Sequence, residues 1–477
     1  MTSAQVEESR NDPPVHRKRL MIVLMAPLFM ALVAVSVINV GLTAIGASLG
    51  SPSEGLQWVI SGYALAFALL LVPAGRLGDA TGRRRILLLG VAIFTLGSLL
   101  AGLAPGIHVL NVARVLQGIG SGLLNPQAIG IIQRHFRGQD RARAFALFGT
   151  TVAVATAIGP VIGGLLIQVL GASAGWRSMF FMNVPIGIAT LLVGRLWIPD
   201  DRRSEKAGRP DLDPVGIVLL GLAILAIMLP FLERGVGRLV WLSLPAGLAI
   251  MVGWAAWEQR VKERGRAPMV DLSIFRSPAF RNGIAIMSVY FLGATSIWIV
   301  VPLYLQMHLH HSAFQAALLG LPSSVLAAVS AQMSGRYVLR LGRRLVIAGF
   351  IVVLIGLGAV AIVAEFVESG AWPFWVLMVP LSLMGLSQGM TITPNQTLTL
   401  NAVDPRYGGV AGGVLQLGQR LGAAIGTALI PGVLFSLVDA GTEWIFAFHI
   451  ALVAIMALTV VALAVCIMDR WREKQTV

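Results

Sequence analysis

The feature that most limits what this chain can fold into is a succession of apolar runs. Each is long enough to cross the hydrocarbon core of a bilayer, which takes about 20 helical residues. They fall at 20–47, 55–77, 86–104, 107–133, 142–169, 178–197, 214–232, 239–257, 282–306, 312–334, 345–364, 373–397, 408–436 and 444–468, fourteen in all. Runs this long and continuous read as helices, because lipid-facing strands alternate in segments of about ten residues. Only 12% of the residues are charged, against about a quarter in a soluble domain, so lipid is the solvent for most of the surface. The expected fold class is all-α integral membrane. The first run is too long for a signal-peptide core and reads as a retained helix. The single cysteine, Cys466, lies in the last run and rules out an intrachain disulfide.

A net charge of +14 would suggest nucleic acid if it formed a patch on a folded domain. Instead the basic residues form short clusters in alternate loops. With the N-terminus placed inside, all but five (Arg114, Arg177, Arg234, Arg238 and Arg420) of the 36 Lys and Arg residues fall on the inner side. This is the positive-inside rule, and one missed helix would scramble the alternation after it. The chain is therefore expected to be multi-pass in the cell membrane, with both termini cytoplasmic and lipid, not nucleic acid, as its partner.

A weak internal repeat organises the runs. Gly75–Arg85 joins the second and third, Gly335–Arg344 joins the tenth and eleventh, and the offset is 260 residues. Six helices with short loops span about 200, so two further helices, the seventh and eighth, stand between the halves. The expected organisation is a tail 1–19, a six-helix bundle 20–199, a linker with two helices 200–281, a second bundle 282–469 and a tail 470–477. Parallel repeats of this kind place a midplane site between two rocking halves.

Several motifs stand out within this frame. In the loop after the second run, Gly75 and Gly82 permit close approach and a tight turn, Asp79 offers a carboxylate, and Arg83, Arg84 and Arg85 offer cations. A plain basic turn is the competing reading. Pro160 interrupts the fifth run beside Gly159, Gly163 and Gly164, a small-residue pattern that brings helices together. Arg114, Gln117, Ser121 and Asn125 share one face of the fourth run, and Gln388, Thr391, Asn395 and Thr399 share one of the twelfth. Ser36, Asn39 and Thr43 make a third face, and Gln416, Arg420 and Thr427 a fourth. Arg420 points about 160° away from Gly418 and Gly422, so packing by those glycines would turn it toward a wet cavity. Such stripes can also be interhelical glue.

The pattern at Gly75–Arg85 resembles the signature loop of the major facilitator superfamily. Gln57-Trp58 to Tyr63, Arg114–Gly120, Gly159-Pro160 to Gly164, Trp176-Arg177 with Asn183-Val184-Pro185, and Gly418–Gly426 resemble its fourteen-helix drug:proton antiporter branch. The resemblance implies two six-helix bundles plus two linker helices. It also implies alternating access, and efflux of hydrophobic or amphiphilic small molecules by proton antiport. Asp79 and the following arginines would form an interdomain latch, and the Gly159-Pro160 segment would seal the contact between bundles. Ser36, Asn39, Gln57, Gln388, Asn395, Gln416 and Arg420 are the cavity candidates. The chain departs from the branch at Ala34, where many members carry an aspartate. No carboxylate stands near the centre of any run; Glu54, Asp79, Glu365 and Glu368 lie at ends, which weakens the case for proton coupling. His308, His310 and His311 read as a solvated loop. No metal set, cofactor or phosphate loop is evident. A monomer is expected. A facilitator or importer of the same fold is the alternative, and a multispanning enzyme a remote one, since no reactive constellation is present.

Overall fold

Lipid offers the backbone no hydrogen-bond partner, so each spanning segment must close its own bonds as a helix. The computed structural model describes residues 16–51, 53–199, 213–232 and 237–475, and contains no strand among them. Expectations for the tail 1–15, most of the charged linker before the seventh helix, and the side chains of Asn39 and Glu54 lie outside the described residues.

Among the described residues, thirteen helices are long and apolar enough to cross a membrane, and one of them, Gly138–Trp197, is 60 residues long. Gly171 divides it: its φ of 78° and ψ of 169° are open to glycine and break the helix. The fourteen resulting spans are α1 (Arg17–Ser36 and Ile38–Leu49), α2 (Ser53–Thr81), α3 (Arg83–Gly102), α4 (Ile107–His135), α5 (138–170), α6 (172–197), α7 (Pro214–Leu232), α8 (Ser243–Glu263), α9 (Pro278–Ala294 and Ile297–Leu303), α10 (Gly320–Leu341), α11 (Arg343–Glu368), α12 (Met378–Asn401), α13 (Gly408–Asp439) and α14 (Trp444–Gln475). Two spans are interrupted where the sequence reads as continuous. α1 turns at Val37, and α9 turns at Thr295–Ser296 before ending in a wide π-type turn, Tyr304–His308.

The packing repeats with the sequence. α4 packs on α2 and α3, as α12 packs on α10 and α11; α1 packs on α5 as α9 packs on α13; α3 meets α6 as α11 meets α14. The two sets of helices meet at two crossings, α2 with α13 and α10 with α5. α7 and α8 form a hairpin, and α7 lies along the seam of α2 and α13. Leu220, Ile224 and Trp254 of this hairpin are buried with Tyr63, Phe67 and Leu71 of α2 and Val410 of α13. Val270, in the strap that joins α8 to α9, is buried in the same cluster.

Candidate functional site

Where α2 nears its C-terminal end, it runs so close to the start of α13 that a Cβ on Gly75 would stand 2.3 Å from the carbonyl oxygen of Gly409. One turn further, Asp79 accepts hydrogen bonds from the backbone N–H of Gly409 (3.1 Å) and of Val410 (3.0 Å). These donors sit in the first turn of α13, where N–H groups have no partner within the helix and the dipole favours an anion. Arg83 begins α3 just after Gly82 (φ 107°) and completes the lock. Its guanidinium lies 2.8 Å from Asp79, donates to the carbonyl of Gly130 on α4, and crosses to the carbonyl of Pro405 at 2.8 Å. Both side chains are almost wholly buried. The neighbouring arginines play other parts: Arg84 donates to the Ile198 carbonyl at the end of α6, and Arg85 is exposed.

The second crossing shares the close approach but lacks the carboxylate. A Cβ on Gly335 would meet the Ala146 side chain at 2.3 Å, and the Gln139 amide donates to the carbonyls of Gly335 (2.8 Å) and Arg336 (3.1 Å). Between the crossings, Gln133 donates to the Leu400 carbonyl (2.6 Å) and Arg141 to the Asn401 side chain (2.8 Å). Higher on α5, Thr150 bonds Gln332 of α10 at 2.9 Å. Sequence reading did not single out Gln133, Gln139, Arg141 or Thr150. A polar residue at a helix end looks solvated until its partner across the fold is known.

The Gly-Pro segment of α5 lies elsewhere. Gly159 packs on Ser36 and Gly163 on Val37, both at the turn in α1 of the same bundle, and Ser36 donates to the Ala155 carbonyl at 3.0 Å. Gly164 faces open space, and Pro160 is half-buried. Contact with the other bundle is made lower on α5, at Ala146, Gly149 and Thr150, and not at the Gly-Pro segment.

The polar face of α4 turns inward. Arg114 is 1% exposed; it donates to the Val59 carbonyl (2.8 Å) and to Gln117 (2.9 Å), and its guanidinium stacks 4.4 Å from the Tyr63 ring. Gln117 passes the chain on to Ser98 of α3 at 2.7 Å, Ser121 meets the Tyr63 hydroxyl at 2.7 Å, and Asn125 bonds the Ser121 carbonyl. This face ties α4 to α2 and α3 and does not line a wet cavity. Arg420 is the cation at the seam between bundles. α13 packs on α9 through Gly418, Gly422 and Gly426, and on its opposite side the Arg420 guanidinium lies 4.5 Å from the Phe67 ring of α2. Among the described residues, no carboxylate pairs with Arg114 or Arg420.

Other candidates separate in the same way. Gln388 lines a small cavity with Tyr290, Thr295 and Trp298. Asn395 holds Arg343 and donates to the Gly283 carbonyl at 2.9 Å, so it is a packing residue of the second bundle. Gln416 is buried on α13. Gln57 donates to the Leu232 carbonyl at the end of α7, so it ties α2 to the hairpin. The histidines part company: His310 is exposed, as a solvated loop requires, but His308 lies 2.6 Å from Glu368, which also accepts from Tyr304, and its ring stacks on Trp444, while the His311 ring lies 4.0 Å from that of Phe374.

The Major Facilitator Superfamily profile matches residues 24–427. A probable actinorhodin transporter of Streptomyces coelicolor is 33% identical over 431 residues, covering 89% of this chain and 74% of that protein. The multidrug resistance protein Stp of Mycobacterium tuberculosis is 30% identical over 426 residues, covering 87% and 75%. Among solved structures, the human organic anion transporter MFSD10 superposes with a TM-score of 0.65 over 95% of this chain and 100% of its own, at 14% identity, a likeness of fold alone.

Proposed function

Because this chain belongs to the major facilitator superfamily, a family of membrane transport proteins and not of enzymes, we propose that it exports amphiphilic, aromatic small molecules by alternating access, in exchange for protons. The observation that carries the substrate class is the cationic, aromatic seam between the bundles. Arg420 of α13 stands over Phe67 of α2, with no carboxylate paired to it among the described residues. A guanidinium on a ring face, away from water, attracts anionic and electron-rich flat molecules and repels cations. The names of the relatives, a transporter of actinorhodin and a multidrug resistance protein, support export over import. In this reading the basic end faces the cytoplasm and is closed by the two crossings, and the opposite end faces outward. Asp79 and Arg83 act as the latch that must break for the cytoplasmic side to open. The protein works in the cell membrane as a monomer.

The test is transport by purified protein in liposomes, comparing an anionic aromatic dye with an uncharged aromatic of similar size. Arg420→Ala should lower transport of the anion about fivefold or more, the effect of a desolvated cation–π contact, and change the neutral probe less than about twofold. An equal effect on both would remove Arg420 from substrate selection.

A further inference from the structure

α9 and α11 begin together, where Arg343 donates to the Ala279 carbonyl, and end together about 38 Å further on at 1.5 Å per residue, with His308 against Glu368. We infer that His308, Glu368 and Tyr304 form a proton-binding site there, in which the protonated imidazole clasps the last turn of α9 to α11 and α14. The use of that proton in transport rests on the export reading; the site itself does not.

The site is built where α9 is least regular. The helix is interrupted at Thr295–Ser296, so its last stretch, Ile297–Leu303 with the wide turn Tyr304–His308, is a separate piece. Wide turns of this kind are rare and recur at functional sites. Tyr304 and His308 stand four apart in the turn and face the same way, with ring centroids 5.5 Å apart. Both reach one carboxylate. The Tyr304 hydroxyl donates to Glu368 Oε2, and His308 Nε2 lies 2.6 Å from Oε1. α14 supplies the apolar wall: Trp444 stacks on the His308 ring, with centroids 5.7 Å apart and planes within 15°, and Phe448 stacks on Tyr304 at 4.5 Å. The His308 and Glu368 side chains are 27% and 29% exposed, so water reaches the pair while the rings shield the rest of it.

Two donors converge on Glu368 and favour its charged form, so the proton that comes and goes is the imidazole's. Imidazole is the side chain whose ordinary titration lies between about pH 5 and 8. With the proton on, His308 makes a charge-assisted bond to Glu368 and sets a cation on the Trp444 face. With it off, both gains are lost and only a neutral donor holds the turn. The neighbouring charges are disposed otherwise. Glu365 of α11 is mostly exposed and lies 3.9 Å from His449 of α14, whose other nitrogen meets the Ala361 carbonyl. Asp439 at the end of α13, Glu443 before α14 and His310 in the loop are exposed, and His311 packs on Phe374. The short helix Ala313–Leu318 that follows carries no charged residue. The clasp bears on transport because the piece it holds also carries Trp298, which lines the small cavity with Tyr290 and Gln388 at the interruption of α9. The proton fixes one wall of that cavity, and its loss frees it.

Spin labels read the clasp without substrate. Paired nitroxides on Met307→Cys and Ser369→Cys, two exposed positions beside the site, report the gap between the turn and α11 in the full chain on a Cys466→Ala background. The gap should be narrow at about pH 5 and wider at about pH 9. His308→Lys, which stays charged over that range, should hold the narrow gap throughout, and His308→Gln, which is never charged, the wide one. His449→Gln should keep the wild-type response. In liposomes, His308→Gln should weaken the response of transport to a pH gradient about fivefold or more while keeping substrate counterflow. A gap that ignores pH in the wild type, or a response that survives in His308→Gln, would overturn the site whatever the transport result. A His308→Lys protein as loose as His308→Gln would show that charge does not hold the turn, with the same consequence. An unaltered gradient response in a His308→Gln protein whose gap no longer moves would overturn its part in coupling. Because the labels need no substrate, failure of the export reading leaves them interpretable.

Discussion

The two crossings that join the bundles have the same architecture but are locked by different chemistry. At each, a glycine at the end of a helix, Gly75 or Gly335, sits against the other bundle with no room for a side chain. Four residues further on, one crossing has Asp79 and the other has Leu339, which is 45% exposed. Asp79 reaches backbone donors of the opposite bundle, and its partner Arg83 also crosses to the Pro405 carbonyl. The corresponding arginine, Arg343, stays at home. It is bound by Asp469 of α14 at 2.7 Å, by Asn395 of α12 and by the Ala279 carbonyl in the first turn of α9, all in its own bundle. Thus a duplicated loop reaches across the seam in one half, where we place the switch, and staples its own bundle in the other. The difference lies in which element supplies the carboxylate and on which side of the seam it stands.

The staple should give the largest effect when broken. Arg343 and Asp469 are 1% and 2% exposed, so Asp469→Ala leaves a buried guanidinium without its counter-charge. That costs about 3–5 kcal/mol. The variant should be nearly absent from the membrane, or melt far below the wild type in detergent. An Asp469→Ala protein of normal yield and melting temperature would make Arg343 as dispensable to the fold as a surface residue, and the contrast with Arg83 would vanish.

The switch should respond in function and not in abundance. Asp79→Asn keeps one acceptor oxygen but loses the charge that binds Arg83 and the α13 N-terminus. Charged hydrogen bonds of this kind are worth about 1.5–3 kcal/mol, enough to shift the closed state of the basic end by tenfold or more. Transport should fall about tenfold at unchanged expression. Undiminished transport at matched expression would reduce the loop to a basic turn.

How much of this could be read from the sequence follows from the range of each interaction. Run length and the alternation of basic loops are one-dimensional signals, and they carry the helix count and the two extra helices. Even the unit merged across Gly171 divides where the runs at 142–169 and 178–197 leave a gap. The polar face on α4 was legible as a face, but whether it met water or other helices was not, because that depends on Val59 and Ser98 of neighbouring helices. The Arg83 contact with Pro405 spans 322 positions and ends on a backbone carbonyl, which no side-chain pattern reveals. Glu368 reads as one more charge at a run end, and only the fold brings His308 to it.

The smallest expected effect tests whether the second crossing needs charge at all. Gln139 is the first-turn residue of α5 that fills, with an amide, the role that Asp79 fills with a carboxylate, and the polarity is reversed: it donates to carbonyls in the last two turns of α10. A neutral hydrogen bond of this kind contributes about 0.5–1.5 kcal/mol. Gln133 and Arg141 hold the same end of the seam independently. Gln139→Ala should therefore lower transport by no more than about threefold. Gln139→Lys, which keeps a donor and adds a cation next to the C-terminal carbonyls of α10, should be close to wild type. Gln139→Glu, which cannot donate and sets an anion against those carbonyls, should be the worst of the three. Equal activity in the Lys and Glu variants would mean that the amide carries no directional bond across the seam. A loss in Gln139→Ala as large as that in Asp79→Asn would mean that both crossings are switches, and that the asymmetry between the halves lies only in their ion pairs.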